Sequence, residues 1–183
     1  MVINESGLCA AMKDAFRKKS TGYKVAARLN KDEEEEIILS APGWMAIITR
    51  ENAPRKVLAL IVEHMGDLPK VGQAFQIQDK NAQSTISDMA VAELPKNAGK
   101  AMVQRTQISY MNHQIYQRTD NDEVFMVSPK VEALLASTLL PLSVADKGMF
   151  CAAGIASTLF ISPADVMQNE MTALHHLAKL KWV

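Results

Sequence analysis

Apolar residues recur at helical spacing in three parts of the chain. The predicted helices cover residues 4–19, residues 53–65 and a C-terminal segment from residue 162. Capping residues support these starts: Asn4 or Ser6 for the first helix, Asn52 for the second and Ser162 for the third. Gly66 is well placed to end the second helix in a left-handed conformation.

Alternating or short apolar runs between turn residues predict most of the remaining chain as strands. The predicted strands are residues 23–29, 37–39, 44–50, 71–78, 101–111, 114–119, 123–128, 149–153 and 158–161. The predicted turns and loops are residues 32–36, 41–43, 79–82, 95–99 and 120–122. Neighbouring hairpins of this kind favour antiparallel pairing over a doubly wound parallel sheet.

Two of the remaining three segments are less clear from their pattern. Residues 84–94 fit either a helix or the return strand of a hairpin, and the hairpin context favours a strand over residues 84–92. Residues 129–136 predict a short helix, and residues 139–142 predict an apolar loop or an edge strand. We therefore predict one α+β domain over residues 1–183. Its mixed, mostly antiparallel sheet of six to nine strands would be packed by the N-terminal, middle (53–65) and C-terminal helices.

Composition agrees with a globular protein. The apolar fraction is 48% and the charged fraction 22%, and a chain of 183 residues needs neither a disulfide nor a metal to stabilise its core. Cys9 and Cys151 lie in apolar surroundings without metal-ligand spacing, so we expect two buried thiols. The start resembles no signal peptide, and the longest uncharged run is a poor membrane span, so we expect a cytoplasmic protein without membrane association.

Charge is balanced overall, with 20 Lys+Arg against 20 Asp+Glu, which argues against nucleic-acid binding. The charge is nevertheless segregated along the sequence, because residues 1–31 are basic and residues 32–36 are all acidic. The simpler interpretation is two solvated faces that partly neutralise each other. The alternative is a basic patch on the first helix and strand, formed by Lys13, Arg17, Lys18, Lys24 and Arg28.

No catalytic, nucleotide-binding or metal-binding motif is present in the sequence. The adjacent His175 and His176 would diverge by about 100° on a helix, so they cannot chelate one ion together. We predict no cofactor and no metal. The eleven methionines are typical of core filling, and a self-associating face is the second interpretation.

Glu170 interrupts an otherwise apolar stripe of the predicted last helix, with apolar residues three and four positions away on both sides. A buried carboxylate is costly, so Glu170 should pair with a basic or hydrogen-bonding group. The helical neighbours of His64 are apolar, which predicts that His64 is a core residue whose ring hydrogen-bonds to a carbonyl. The alternative is that His64 acts as a general base. Both are candidate binding residues.

The segment 110–118 combines aromatic and polar side chains and is a third candidate ligand surface. On strands, a shared face is expected for Tyr110, Asn112, Gln114 and Tyr116, while His113 and Arg118 need not join them. Three functions remain. The first is a non-enzymatic cytoplasmic binding or interaction protein able to form a homo-oligomer. The second is an enzyme of unrecognised class using Glu170, His64 or His113. The third is a nucleic-acid accessory protein using the N-terminal basic face.

Overall fold

A computed structural model describes residues 1–18, 22–78, 82–87 and 95–182 of the chain. Within these residues, the helices are α1 (Glu5–Arg17), α2 (Arg55–Met65), α3 (Pro129–Glu132) and α4 (Gln168–Leu177). The side chain of Asn4 caps α1 by accepting from the N–H groups of Ser6 and Gly7. Gly66 ends α2 with φ 86°, the left-handed conformation expected of it.

One sheet contains every strand that the described residues form. The strands are β1 (Lys24–Leu29), β2 (Glu35–Ala41), β3 (Trp44–Thr49), β4 (Gln73–Gln78), β5 (Ala82–Ser87), β6 (Asn97–Tyr110), β7 (His113–Arg118), β8 (Val124–Val127), β9 (Leu142–Ala145), β10 (Phe150–Ala153) and β11 (Ser157–Ile161). Their order is β5-β4-β1-β2-β3-β11-β10-β9-β6-β7-β8, and neighbouring strands pair antiparallel. The predicted α+β class with a mostly antiparallel sheet is confirmed. The eleven strands exceed the expected six to nine, because short segments such as β9 also pair.

The main core lies between one face of the sheet and the first two helices. Leu8 and Met12 of α1 and Val57 and Ile61 of α2 are fully buried there. Helix α4 packs separately, where Leu174 contacts a cluster formed by β7 and β8. The sheet thus carries α1 and α2 over one part and α4 over another, which leaves the outer face of α1 free to form a surface feature.

The predicted start of the last helix is wrong, because α4 begins at Gln168 rather than near Ser162. The N–H of Ser162 donates to the Gly43 carbonyl at 2.8 Å, and the N–H of Ala164 donates to the Met126 carbonyl at 2.8 Å. These bonds hold the segment in an extended path beside other strands, so tertiary pairing overrides the capping signal.

Several smaller predictions also differ from the structure. Asn52 does not cap α2; its side-chain amide donates to the Thr49 hydroxyl, and Pro54 occupies the cap position. The loop predicted over residues 95–99 becomes strand at Asn97, which pairs with Ala145 of β9. The acidic run 32–36 is only partly a connection, because its last two residues belong to β2.

Other predictions are confirmed or fall partly outside the described residues. Residues 139–142 lead into β9, and the predicted helix over 129–136 is the four-residue α3. For residues 84–94 the strand interpretation holds as far as Ser87, whereas residues 88–94 lie outside the described part of the chain. Helix α1 ends at Arg17, slightly before the predicted end at Lys19, which lies outside the described residues together with most of the turn at 79–82.

Candidate functional site: a basic groove beside the first helix

His64 is a core residue, 2% exposed, on the inner face of α2. Its ring stacks on Phe16 of α1, with centroids 4.1 Å apart and planes 5° from parallel. A hydrogen bond of 3.0 Å joins His64 Nδ1 to the hydroxyl of Tyr23, which takes the place of the expected carbonyl partner. Burial lowers the pKa of His64, because the apolar core disfavours the charged ring.

Glu170 lies in the first turn of α4, since the helix starts at Gln168. Its carboxylate accepts a 2.8 Å hydrogen bond from the backbone N–H of Met167. The side chain is half-buried rather than enclosed in the core. The predicted partner therefore exists, but it is a backbone N–H at the start of the helix, where a carboxylate is favoured by the helix dipole.

The segment 110–118 is a hairpin rather than a continuous face. Met111 and Asn112 form its turn with φ of 47° and 63°, so Tyr110 pairs with His113 across the hairpin. The His113 ring is hydrogen-bonded to the Met111 carbonyl at 2.9 Å. The predicted shared face of Tyr110 and Tyr116 is therefore wrong, because Tyr110 shares the face of its partner His113, and Tyr116, three positions after His113, lies on the opposite face.

The remaining candidates of this hairpin serve the local structure. Tyr116 is fully buried, and its hydroxyl donates to Glu132 at 3.0 Å. Arg118 forms an ion pair with Asp120 at 2.7 Å. Among the described hydrogen bonds, none joins any two of Glu170, His64 and His113, and none of these three residues lines the cavities described below.

A groove of about 920 Å³ lies between α1, the β2–β3 turn and the start of α3. We call this feature the basic groove. Its apolar lining includes Ala11, Ala15, Trp44 and Val131, and small alanine side chains on α1 leave the space open. A volume of this size is within the range of ligand sites. Two smaller cavities of about 340 Å³ each lie elsewhere.

Backbone contacts fix the walls of the basic groove. The N–H of Asn4 donates to the Leu134 carbonyl at 2.8 Å and ties the start of α1 to the segment after α3. A Cβ at Gly7 would lie 1.9 Å from the Ala133 carbonyl oxygen, so only glycine permits this approach of α1 to α3. Gly43, with φ 90°, makes the turn that forms the third wall.

Positive charge dominates the lining of the basic groove. Four cationic side chains line it, together with a single carboxylate, so three positive charges are in excess among its lining residues; the five are Lys13, Arg17, Lys18, Lys130 and Asp14. Asp14 lies 2.7 Å from Lys18 Nζ, 2.8 Å from Arg17 Nη2 and 3.7 Å from Lys130 Nζ. Hydrogen bonds from Lys18 and Arg17 lower the pKa of Asp14 to about 2.

The basic patch predicted from the sequence is divided by the fold. Lys24 and Arg28 alternate with buried residues of β1 that face the main core, so they lie on the opposite face of the sheet. Arg28 also forms an ion pair with Glu36 at 2.9 Å. Lys130 joins the groove from a segment more than 100 positions away, which no local pattern in the sequence reveals.

The described residues contain no group of three or more His, Cys, Asp or Glu side chains placed to hold a metal ion. No helix in the described ranges is long and apolar enough to cross a membrane. In the comparisons with known proteins, no family model, no curated protein and no solved structure matches this chain.

Proposed function

We propose that the protein is a non-enzymatic binding protein whose basic groove takes an acidic segment that also carries apolar side chains. The observation behind the proposal is the combination of an apolar lining with four cations and one carboxylate. Apolar side chains gain about 25 cal/mol per Å² of surface that they bury. Carboxylates on the same segment would meet the excess positive charge at the groove's rim.

The chemistry of the groove supports binding rather than catalysis. Asp14 is the carboxylate in its lining, and a pKa of about 2 makes it a poor general base near neutral pH. The Ser128 hydroxyl accepts from the N–H of Val131 and caps α3. None of the cavities described above is lined by Glu170, His64 or His113, the residues that the alternative of an enzyme requires.

Nucleic acid is a rival ligand, because phosphates also favour positive charge. Single-stranded nucleic acid is usually held by exposed aromatic side chains on which bases stack. Trp44 in the groove is 6% exposed, and Lys24 and Arg28 do not extend the basic surface. These features favour an acidic protein segment as the ligand.

A cytoplasmic location belongs to the same proposal. Cys9 and Cys151 are both free thiols, which suits a reducing compartment. Burial raises the pKa of the Cys151 thiol to about 11, so this thiol stays protonated near neutral pH.

The test uses a fluorescein-labelled peptide of Leu-Glu-Glu repeats, with Leu-Gln-Gln repeats as the uncharged probe and fluorescence anisotropy as the readout. Lys13→Glu with Lys130→Glu reverses two cations of the groove. An exposed pair is worth about 0.2–1 kcal/mol, and two reversals replace two attractions by two repulsions. The expected loss is about 1–4 kcal/mol, or at least about fivefold in Kd.

The matched control reverses Lys179 and Lys181, two exposed lysines at the end of α4, and so changes net charge equally. This variant should bind the acidic peptide like the natural chain. Equal binding of the glutamate and glutamine peptides would refute the proposal. If a single-stranded oligonucleotide binds tightly in the groove and the peptide does not, the ligand of the groove is nucleic acid and the proposal is wrong.

A further inference from the structure

The β1–β2 turn presents an ordered set of carboxylates. Asp32, Glu33 and Glu34 are exposed beside one cation, Lys31. The side chain of Asn30 orders the turn, because its Oδ1 accepts from the N–H groups of Asp32 and Glu34, both at 2.9 Å. The same side chain donates to the Glu34 carboxylate at 3.0 Å. The turn is therefore a fixed acidic projection rather than a loose charged loop.

Apolar side chains accompany these carboxylates. Leu29 is 51% exposed at the end of β1, and Val71 is 47% exposed just before β4. The N–H of Gly72 donates to the Ala27 carbonyl at 2.9 Å, which places Val71 at the same end of the sheet as Leu29. We call residues 29–34 together with Val71 the acidic knob. It combines apolar surface with three carboxylates and one cation, which matches the chemistry proposed for the groove's ligand.

The acidic knob cannot reach the basic groove of its own chain. The knob follows the Leu29↔Glu35 end of the β1–β2 pair, whereas the groove is lined from Ala41, at the other end of β2. Strand β2 has seven residues, so at about 3.3 Å per residue the two features lie roughly 20 Å apart along a rigid strand. Any contact between them must join two molecules.

We propose that the segment taken by the basic groove is the acidic knob of a second copy of this chain, an inference that rests on the proposed function. The charges are complementary: the lining of the groove has three positive charges in excess, and residues 31–34 have two negative charges in excess. The chain as a whole carries no net charge, so two copies approach without overall repulsion.

This contact joins two different surfaces. A contact of that kind closes into a dimer when each copy gives its knob to the other, and otherwise continues as an open chain. In both cases association depends on concentration and weakens as salt screens the charges.

The experiment is sedimentation velocity of the full chain from about 1 to about 200 µM, at about 50 mM and about 500 mM NaCl. The weight-average mass should rise with concentration at low salt and return toward the monomer at high salt. The groove variant is Lys13→Glu with Lys130→Glu, and the knob variant is Asp32→Lys with Glu33→Lys. Each variant alone should associate at least about fivefold more weakly.

Mixing the two variants in equal amounts is the decisive arm. The acidic knob of the groove variant meets the basic groove of the knob variant, and the reversed knob meets the reversed groove, so association should return. Circular dichroism and thermal unfolding of each variant confirm that loss of association is not loss of folding. The control variant, Lys179→Glu with Lys181→Glu, should associate like the natural chain.

The outcomes separate this inference from the proposed function. A strict monomer at about 200 µM in low salt, with the acidic peptide still bound in the groove, overturns self-association and keeps the binding function. Association that the groove variant retains, together with unchanged peptide binding, overturns both. Failure of the mixture to associate overturns the pairing of knob with groove.

Discussion

Tyr23 and His64 form a buried polar pair whose removal has a calculable cost. Tyr23 is fully buried, and its hydroxyl is the hydrogen-bond partner that the structure describes for His64 Nδ1, at 3.0 Å. The substitution Tyr23→Phe removes the hydroxyl and leaves the aromatic ring in place. The edge-on contact between the two rings, with centroids 5.8 Å apart, can therefore persist, and the change isolates the hydrogen bond.

The expected cost follows from burial on both sides of the bond. A buried polar group left without its partner costs about 1–3 kcal/mol in the free energy of unfolding. For a domain of this size each kcal/mol lowers Tm by about 2–4 °C, so Tyr23→Phe should lower Tm by roughly 2–12 °C. Replacing both residues, with Tyr23→Phe and His64→Leu, removes the orphaned nitrogen, so the two effects should not add.

The same histidine makes stability depend on pH. Burial lowers the pKa of His64 below the ordinary value of 6.5, so below that pH the unfolded chain binds more protons than the folded one. The free energy of unfolding therefore falls as pH drops from 6.5 toward the lowered pKa of the folded state. Asp14, with a pKa of about 2, titrates well below this window.

Urea unfolding followed by circular dichroism, between about pH 8 and about pH 5, measures both effects. The matched control is Tyr116→Phe. Glu132, which accepts the hydrogen bond of the Tyr116 hydroxyl, keeps its ion pair with Arg105 at 2.8 Å in this variant. Tyr116→Phe should therefore lower the free energy of unfolding by less than Tyr23→Phe does. The reasoning is refuted if Tyr23→Phe is as stable as the natural chain. It is also refuted if His64→Leu leaves the slope of stability against pH between about 6.5 and about 5 unchanged.

Two further predictions concern close packing and thiol chemistry. Gly7→Ala should lower the free energy of unfolding by about 1–3 kcal/mol and weaken peptide binding, because the added Cβ would lie 1.9 Å from the Ala133 carbonyl oxygen. The control Gly66→Ala, whose Cβ would have no atom within 4 Å, should cost about 1 kcal/mol through its positive φ and leave peptide binding unchanged. Urea unfolding measures the stability of both variants, and fluorescence anisotropy measures their peptide binding. Cys151 is 1% exposed and its pKa is raised to about 11, so this thiol should react with a thiol reagent only when the chain unfolds. The partly exposed Cys9 should react in the folded chain. Equal reaction rates of the two thiols in the folded chain would contradict this prediction.

Local patterns in the sequence were sufficient for elements whose ends are set by their own residues. Asn4 caps α1 and Gly66 ends α2 as predicted, because each acts on the backbone within a few positions of itself. The prediction was wrong where residues distant in the sequence form hydrogen bonds with the backbone of a segment. Residues 162–164 carry a helix-start signal, yet they are extended. The carbonyls of Gly43 and Met126 accept hydrogen bonds from the N–H groups of Ser162 and Ala164.

The candidate site was predicted only in part for the same reason. Lys13, Arg17 and Lys18 are close together in the sequence, which predicts that they belong to one basic patch. Lys130 lines the same groove because α3 packs against α1, and Trp44 lines it because the β2–β3 turn forms one of its walls. Glu170 has the hydrogen-bonding partner that the sequence predicts, but this partner is the backbone N–H of Met167, because α4 begins at Gln168 and Glu170 lies in its first turn.

The segregation of charge along the first 36 residues gains a different meaning in the folded chain. Adjacent basic and acidic blocks could neutralise each other if the chain folded back on itself at their junction. Among the described ion pairs, only that of Glu36 with Arg28 joins the two blocks, since Glu35 pairs with Arg50 outside them. Asp32–Glu34 project beyond the sheet at one end, while the bases of α1 line the groove at the other. A rigid strand keeps these opposite charges apart within one molecule, and for this reason the proposed contact of the acidic knob with the basic groove joins two molecules.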